Sequence, residues 1–562
     1  MQHVAVAPAP RQRARTGEPA PSASPPATPR PNSTSARHGS ALPRALLALT
    51  VLHVLLLLCY SVMVPTFRAR DEDVHVDLVR HLARTASYPD VGELSVSASI
   101  VAARGTSPAY QAGGRPVGLG DAVPAEARPT FPEAAPDVAT EVANPMPHHP
   151  PLYYALGAAL LGAADVVLPG WPWPFDRTVA LLRLFDVALV AVLPVLAWAT
   201  ARRLGCPARA SLTAAVLVLA VPQLTHVGSV VTNDDLLVVL SGGLFLLAAR
   251  VVTGDLSRRT AIVAGVVVGL ALLTKVFALV LAPWIVAAYL FAPGAPRRRR
   301  LMVGRMALVA VVGMVIGGWW WARNLVVHGA LQPDLGLRDP AVPGLEPGSG
   351  FFLATFAERL FGGFWGSFGW SEVALPGAAI ALSTLAVTAA VAVAFVRGRT
   401  VAVRARLAYF VFPTTALLVV AAVSSLLAYL ETGTFGAQGR YLLPALVGLV
   451  VVAAVGFDQV TSRRTASLPL LAFVGAVAMQ VLAVGAIMGR YWGGGASLEG
   501  LRSMLAFSPW PPVVVFVGAV VTLAVAGWAA RELVRCWMQE RRHRRAEVSS
   551  AGALPRLVQG RS

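Results

Sequence analysis

Long apolar runs recur along this chain, separated by short polar connections rich in arginine. A spanning helix needs about 20 apolar residues to cover a hydrocarbon core of about 30 Å. The first such run, 45–64, follows a tail of Pro, Ala, Ser, Thr and Arg with almost no large apolar side chains. A tail of that composition cannot bury enough surface to fold alone, so residues 1–44 are expected to be disordered and 45–64 to be an uncleaved signal anchor. Further spans are expected at about 179–200, 210–228, 234–251, 260–274, 276–292, 301–321, 375–396, 406–428, 441–457, 467–488 and 512–530. With the first, that makes twelve, and the fold class is an all-α integral membrane bundle.

The arginines set the topology. Cytoplasmic connections carry an excess of Lys and Arg. Residues 152–168 are apolar enough to be read as a further span, but counting them as one would put Arg202, Arg203 and Arg297 to Arg300 outside. Read as an interfacial or re-entrant helix, 152–168 leaves every arginine-rich loop inside. The expected organisation is then a large first external loop (65–178) carrying interfacial helices, a multi-helix region (179–530) with an external loop at 322–374, and a basic cytoplasmic tail (531–562). Within the first loop, Val74, Leu78 and Leu82 fall at helical spacing, whereas 88–147 is rich in Gly and Pro and reads as irregular.

Composition narrows the class. Hydrophobic residues make up 56% of the chain and charged ones 14%, with a mean hydropathy of +0.63. The net charge of +18 comes from arginines in tails and membrane-flanking loops, which argues for membrane anchoring and against nucleic acid. Cys59, Cys206 and Cys536 lie in or beside apolar runs with no short spacing, so they form neither a disulfide framework nor a thiolate metal site.

The polar residues that membrane anchoring does not explain gather on the external side. Asp71-Glu72-Asp73-Val74-His75 opens the first loop, and His148 and His149 stand just before Pro150-Pro151 near its close. Asn233-Asp234-Asp235 follows the third span, Lys275 interrupts the 260–292 apolar region, and Arg440 stands in Gln438-Gly439-Arg440-Tyr441. Each feature has a plain alternative. Acids can solvate a surface helix, a carboxylate at a helix start favours its dipole, and a basic side chain can snorkel to headgroups. Asp71 and His75, four residues apart on one helix face, could share a divalent ion with water, or His75 could orient Asp71 by a hydrogen bond. The aromatic and glycine cluster Phe361, Phe364, Trp365, Phe368, Trp370 reads as an interfacial belt, with a second reading as the lining of a sugar pocket.

In kind and order these stretches resemble the polytopic glycosyltransferases of the GT-C superfamily, which include the protein O-mannosyltransferases and the aminoarabinose transferases of lipid A. The resemblance rests on Asp71-Glu72, His149 to Tyr154, Arg183, Ala201 to Gly205, Asn233-Asp234, Gly269 to Lys275, Trp320 to Asn324 and Gln438 to Pro444, spread over 45–460. The Asp-Glu-x-x-His form of the first motif is similar to that of a less characterised bacterial membrane family in the same superfamily. The resemblance implies a polyprenyl-phosphate sugar as donor and an extracytoplasmic glycan, lipid or protein as acceptor. It implies Asp71 as catalytic base with Glu72 as the second candidate. His75, His148, His149, Asp234, Lys275 and Arg440 are then expected to bind substrate, with no certain cofactor beyond the divalent ion weighed above. Two rival readings stay open: a transporter or flippase for a lipid-linked substrate, and a catalytically silent assembly protein.

Overall fold

The computed structural model describes residues 41–107, 110, 115–294, 298–333, 335, 350–432, 436, 438–461, 467–493 and 497–552. The tail expected to be disordered lies outside them except for its last residues, which already belong to the first helix, Ala41–Met63. Residues 553–562 of the basic tail lie outside as well.

The protein is a multi-pass membrane protein whose bundle is all-α, with short strand pairs confined to its connections. Among the described residues, nine helices are long and apolar enough to cross a bilayer: 42–63, 175–203, 234–252, 299–328, 377–396, 401–431, 439–460, 468–491 and 512–542. The other three expected spans fold as shorter helices, Ala208–Leu219, Arg258–Leu272 and Ala278–Ala287. Local chemistry explains the shortening. Pro222 pushes the residue before it out of helical geometry, so the chain turns there and restarts as Pro222–Val227. Thr274 and Lys275 interrupt the next pair. The last helix runs from Pro512 to Gly552, well past the expected end at 530, because its arginines and glutamates are good helix formers and no breaker intervenes.

Small residues let the helices approach closely. A Cβ on Gly317 would lie 2.1 Å from the Gly269 carbonyl oxygen, and one on Gly456 would lie 1.7 Å from that of Ala390. Backbone-to-backbone contact of this kind suits membranes, where dispersion between packed surfaces drives association. One polar cluster inside the bundle is fully tied together. Tyr60 donates to Gln480 Oε1 at 2.8 Å, while Gln480 Nε2 donates to the Leu219 carbonyl and to Thr225 Oγ1.

Among the described residues of 88–147, where the sequence reads as irregular, the chain forms regular elements. Ser95–Ser97 pairs antiparallel with Ala139–Ala143, and the helix Ala98–Thr106 buries Ile100 and Ala103. The order comes from buried ion pairs and polar contacts. Arg80 donates to Asp137 and lies 3.8 Å above the Phe131 ring, and Asp77 accepts from Ser97 Oγ and Asn144 Nδ2. The helix Glu72–Thr85 is enclosed by this segment and by Leu152–Val167, so Glu72, Asp73, Asp77 and Arg80 are buried and paired instead of solvated. At about 1.5 Å per residue, the 16 residues of Leu152–Val167 extend about 24 Å.

Candidate active site

Four separate segments deliver charge to one end of the bundle. Asp71 precedes the Glu72–Thr85 helix, Asp234 begins Asp234–Val252, Lys275 sits in the turn after Arg258–Leu272, and Arg440 lies in the 3-10 turn Gly439–Ala445. They join in a relay. Arg440 Nη2 donates to Asp71 Oδ2 at 2.9 Å, Arg440 Nε stands 3.6 Å from Asp234 Oδ2, and Lys275 Nζ donates to Asp234 Oδ1 at 2.7 Å. Four segments far apart in sequence are thus tied by alternating charge, which keeps buried ions neutralised.

Asp71 departs from ordinary helix capping. An aspartate before a helix usually accepts a hydrogen bond from the first turn. Here its side chain caps nothing, its backbone is left-handed at φ 64°, and its carboxylate turns to Arg440. A non-glycine residue held in that region costs about 1–3 kcal/mol and persists only where its surroundings impose it. The Asp71 side chain keeps 26% of its surface accessible, unlike the acids beside it. Burial pushes its pKa up, but Arg440, Arg70 and His75 together outweigh that and hold the carboxyl below the usual range.

Glu72 is placed differently. It is fully buried and both oxygens are saturated. Arg183 Nε and Nη2 donate at 2.7 and 2.6 Å, and the Phe67 and Val231 amides at 2.9 and 3.1 Å. Arg183 also donates to the carbonyls of Ser61, Val64 and Pro65, so this pair pins the end of the first span to the next helix. Asp73 is likewise engaged, accepting from Arg104.

The histidines stack behind the relay. His75 Nδ1 meets the Tyr154 hydroxyl at 3.0 Å in place of the expected bond to Asp71, and its ring lies parallel to that of His149 with centroids 6.3 Å apart. Burial foremost pushes His75 down to about 3, so it is neutral near pH 7. His149 is lowered as well, again by burial first and then by His148 and Lys275. His148 donates from Nδ1 to the Pro145 carbonyl. Of the pair weighed for a divalent ion, Asp71 Oδ2 accepts from Arg440 and His75 Nδ1 meets Tyr154. Among the described residues no three His, Cys, Asp or Glu side chains converge as a metal site.

A cavity of about 1130 Å³ adjoins the relay. It is lined by Arg70, Arg359, Arg440, Gln223 and His226, and by Ile380, Ala381 and Leu385 of the helix Gly377–Val396. Arg440 lines the cavity and donates to Asp71, whereas Asp71 itself, Glu72, Lys275, Asp234, His75, His148 and His149 do not line it. Three arginines and Glu358 line it together with one side of a helix that is largely exposed. Arg70, adjacent to Asp71 in sequence, and Gln223 and His226, on a short helix inside an expected span, were not singled out by sequence. Only the adjacency of Arg70 to the acidic motif offered a signal.

Residues 175–321 match the model of the dolichyl-phosphate-mannose-protein mannosyltransferase family. That stretch contains Arg183, Asp234 and Lys275, and the resemblance drawn from the motifs is borne out there. No curated protein matches the sequence. Among solved structures, the chain is similar to ArnT from Cupriavidus metallidurans bound to undecaprenyl phosphate, at 14% identity and a TM-score of 0.44, over 87% of this chain and 77% of that one. It is also similar to the oligosaccharyltransferase of Archaeoglobus fulgidus in its apo form, at 11% identity and a TM-score of 0.38, over 83% and 60% of the two chains.

Proposed function

We propose that this protein is a membrane glycosyltransferase that moves one sugar from a polyprenyl-phosphate donor onto an acceptor outside the cytoplasmic membrane. The observation that carries the reading is Asp71: a partly exposed carboxylate, held in a left-handed conformation, tied to a cation that also lines a cavity with an apolar, lipid-facing wall. That arrangement supplies what the reaction demands. A lipid phosphate needs cations at one end and apolar surface along its chain, and Arg440 and Arg70 offer guanidinium groups suited to phosphate oxygens.

In the proposed reaction, Asp71 takes the proton of an acceptor hydroxyl or amine as that atom attacks the anomeric carbon. The bond from that carbon to the phosphate oxygen breaks, and its electron pair leaves on the phosphate, where Arg440 and Arg70 offset the developing charge. A single displacement inverts the anomeric centre. Asp234 and Lys275 set the position and charge of Arg440, Glu72 acts through Arg183 by fixing the start of the acidic helix, and the stack of His75, His149 and His148 backs the acceptor side. The connections holding Arg202, Arg203, Arg258 and Arg259 lie at the opposite end of the bundle. The positive-inside bias therefore supports cytoplasmic termini and an outward-facing site.

The test is transfer from radiolabelled polyprenyl-phosphate sugars by the purified protein, with membrane extract as acceptor. Transfer by the wild type that falls by about 10²–10⁴ in Asp71→Asn is the expected result. Donor binding with no transfer from any donor would refute the enzyme and favour a transporter or assembly role.

A further inference from the structure

The segment Ser367–Leu375 forms one rim of the cavity and is held by contacts that none of the steps above uses. Ser367 N donates to Gln223 Oε1 at 2.8 Å, and Gly369 N approaches His226 Nε2 at 3.4 Å. Glu372 accepts from Arg68 Nε at 2.6 Å, from the Tyr491 hydroxyl at 2.8 Å and from Arg490 Nη2 at 3.1 Å. Between these anchors two residues adopt left-handed backbone, Gly369 at φ 63° and Ser371 at φ 67°. A Cβ at Gly369 would meet the Tyr491 hydroxyl at 2.2 Å, so only glycine fits there.

What this pinned turn presents is Trp370. Of the earlier aromatics of the cluster, Phe364, Trp365 and Phe368 are buried in the core, while Phe361 on the preceding helix is 37% exposed at the same cavity; Trp370, on the pinned turn, keeps 41% of its surface exposed there. Its ring lies 5.5 Å from the Arg70 guanidinium carbon. An ordinary interfacial tryptophan needs no such support, since an aromatic belt tolerates any rotamer at headgroup depth. Backbone held in a costly conformation by buried polar anchors marks a position whose geometry matters.

We infer that Trp370 is the platform for the donor's sugar ring. This rests on the donor reading above. An indole carries negative potential on its face, which attracts the polarised C–H groups on one side of a pyranose or furanose ring. In a sugar 1-phosphate, ring and phosphate are separated by a single glycosidic oxygen. Arg70 and Trp370 border the same cavity side by side, which places a cation for the phosphate next to an aromatic surface for the sugar. Glu372, through Arg68, Arg490 and Tyr491, is a positioning residue for the platform.

The measurement is equilibrium binding to purified protein of undecaprenyl phosphate and of polyprenyl phosphates bearing mannose, glucose or arabinose. The comparison is among wild type, Trp370→Ala and Trp370→Phe. Trp370 is partly exposed, so neither variant opens a core cavity. The expected result is that wild type binds at least one sugar-bearing lipid more tightly than undecaprenyl phosphate, and that Trp370→Ala weakens binding of that lipid about tenfold. Undecaprenyl phosphate should bind Trp370→Ala as it does the wild type, and Trp370→Phe should keep most of the sugar preference. Equal weakening for both lipids would overturn the platform, as would no weakening, or a wild type with no preference for any sugar-bearing lipid. A wild type that binds none of the lipids would instead overturn the donor reading itself.

Discussion

Replacing Glu72 separates scaffold from chemistry in the acidic motif. Its carboxylate and the Arg183 guanidinium meet through two parallel bonds of 2.7 and 2.6 Å inside a fully buried pocket. Opposite charges that close attract by about 6 kcal/mol at an effective dielectric near 20, and desolvation of the two ions cancels much of it. Removing one partner alone leaves the other charge stranded, at a cost of about 3–5 kcal/mol. Arg183 cannot swing out to water, because its remaining hydrogens are held by the Ser61, Val64 and Pro65 carbonyls. Glutamine offers little rescue, since each Glu72 oxygen accepts one bond from Arg183 and one from a backbone amide. An amide NH₂ in either position faces donors. Glu72→Gln should therefore lower the thermal unfolding midpoint by several degrees in detergent, and whatever fraction stays folded should retain transfer. Asp71→Asn keeps an acceptor for Arg440 and should lose transfer with little change in that midpoint. If Glu72→Gln instead unfolds like the wild type while transfer collapses, Glu72 is the base and the assignment of roles is reversed.

Two further results are expected. The Asp71 carboxyl is held below its usual range because Arg440, Arg70 and His75 outweigh burial. A general base works only when deprotonated, so transfer should fall on the acid side, as pH drops through that lowered pKa. In Arg440→Gln burial is opposed less, and the acid limb of a pH–rate profile should move to higher pH; an unmoved limb would show that Arg440 does not set the base. At the bundle interface, Gly456→Ala places a methyl against the Ala390 carbonyl, and overpacking should cost about 1–3 kcal/mol. Gly475→Ala, with open space around it, should gain up to about 1 kcal/mol of helix propensity. Equal unfolding midpoints for the two would refute the close contact.

Period and composition determined much of this protein. Apolar runs of bilayer length can hold their backbone polar groups only as helices, so the all-α membrane class follows from sequence alone. The same holds for the gathering of Asp71, Asp234, Lys275 and Arg440 at one end of the bundle, because each stands where an apolar run begins or ends. Sequence could not say which of two adjacent acids is free. Asp71 and Glu72 are neighbours in one charge run, and only the arrival of Arg183, 111 residues later in the chain, consumes Glu72 and leaves Asp71 facing Arg440. Lys275 likewise reads as an unpaired cation in an apolar stretch until Asp234 closes on it. The order of the described residues within 88–147 was hidden too, since Gly and Pro content reports local propensity, whereas Arg80 and Asp77 hold Asp137 and Ser97 in place by contacts across that stretch. Trp370 sits in a run of aromatics that look alike in sequence, and its exposure is set by a turn pinned to Gln223, Arg68 and Tyr491 from three distant segments. Local pattern fixes what each residue can do, because it follows from side-chain chemistry and helical period. Which residue is left to do it depends on partners that only the folded chain brings within hydrogen-bonding distance.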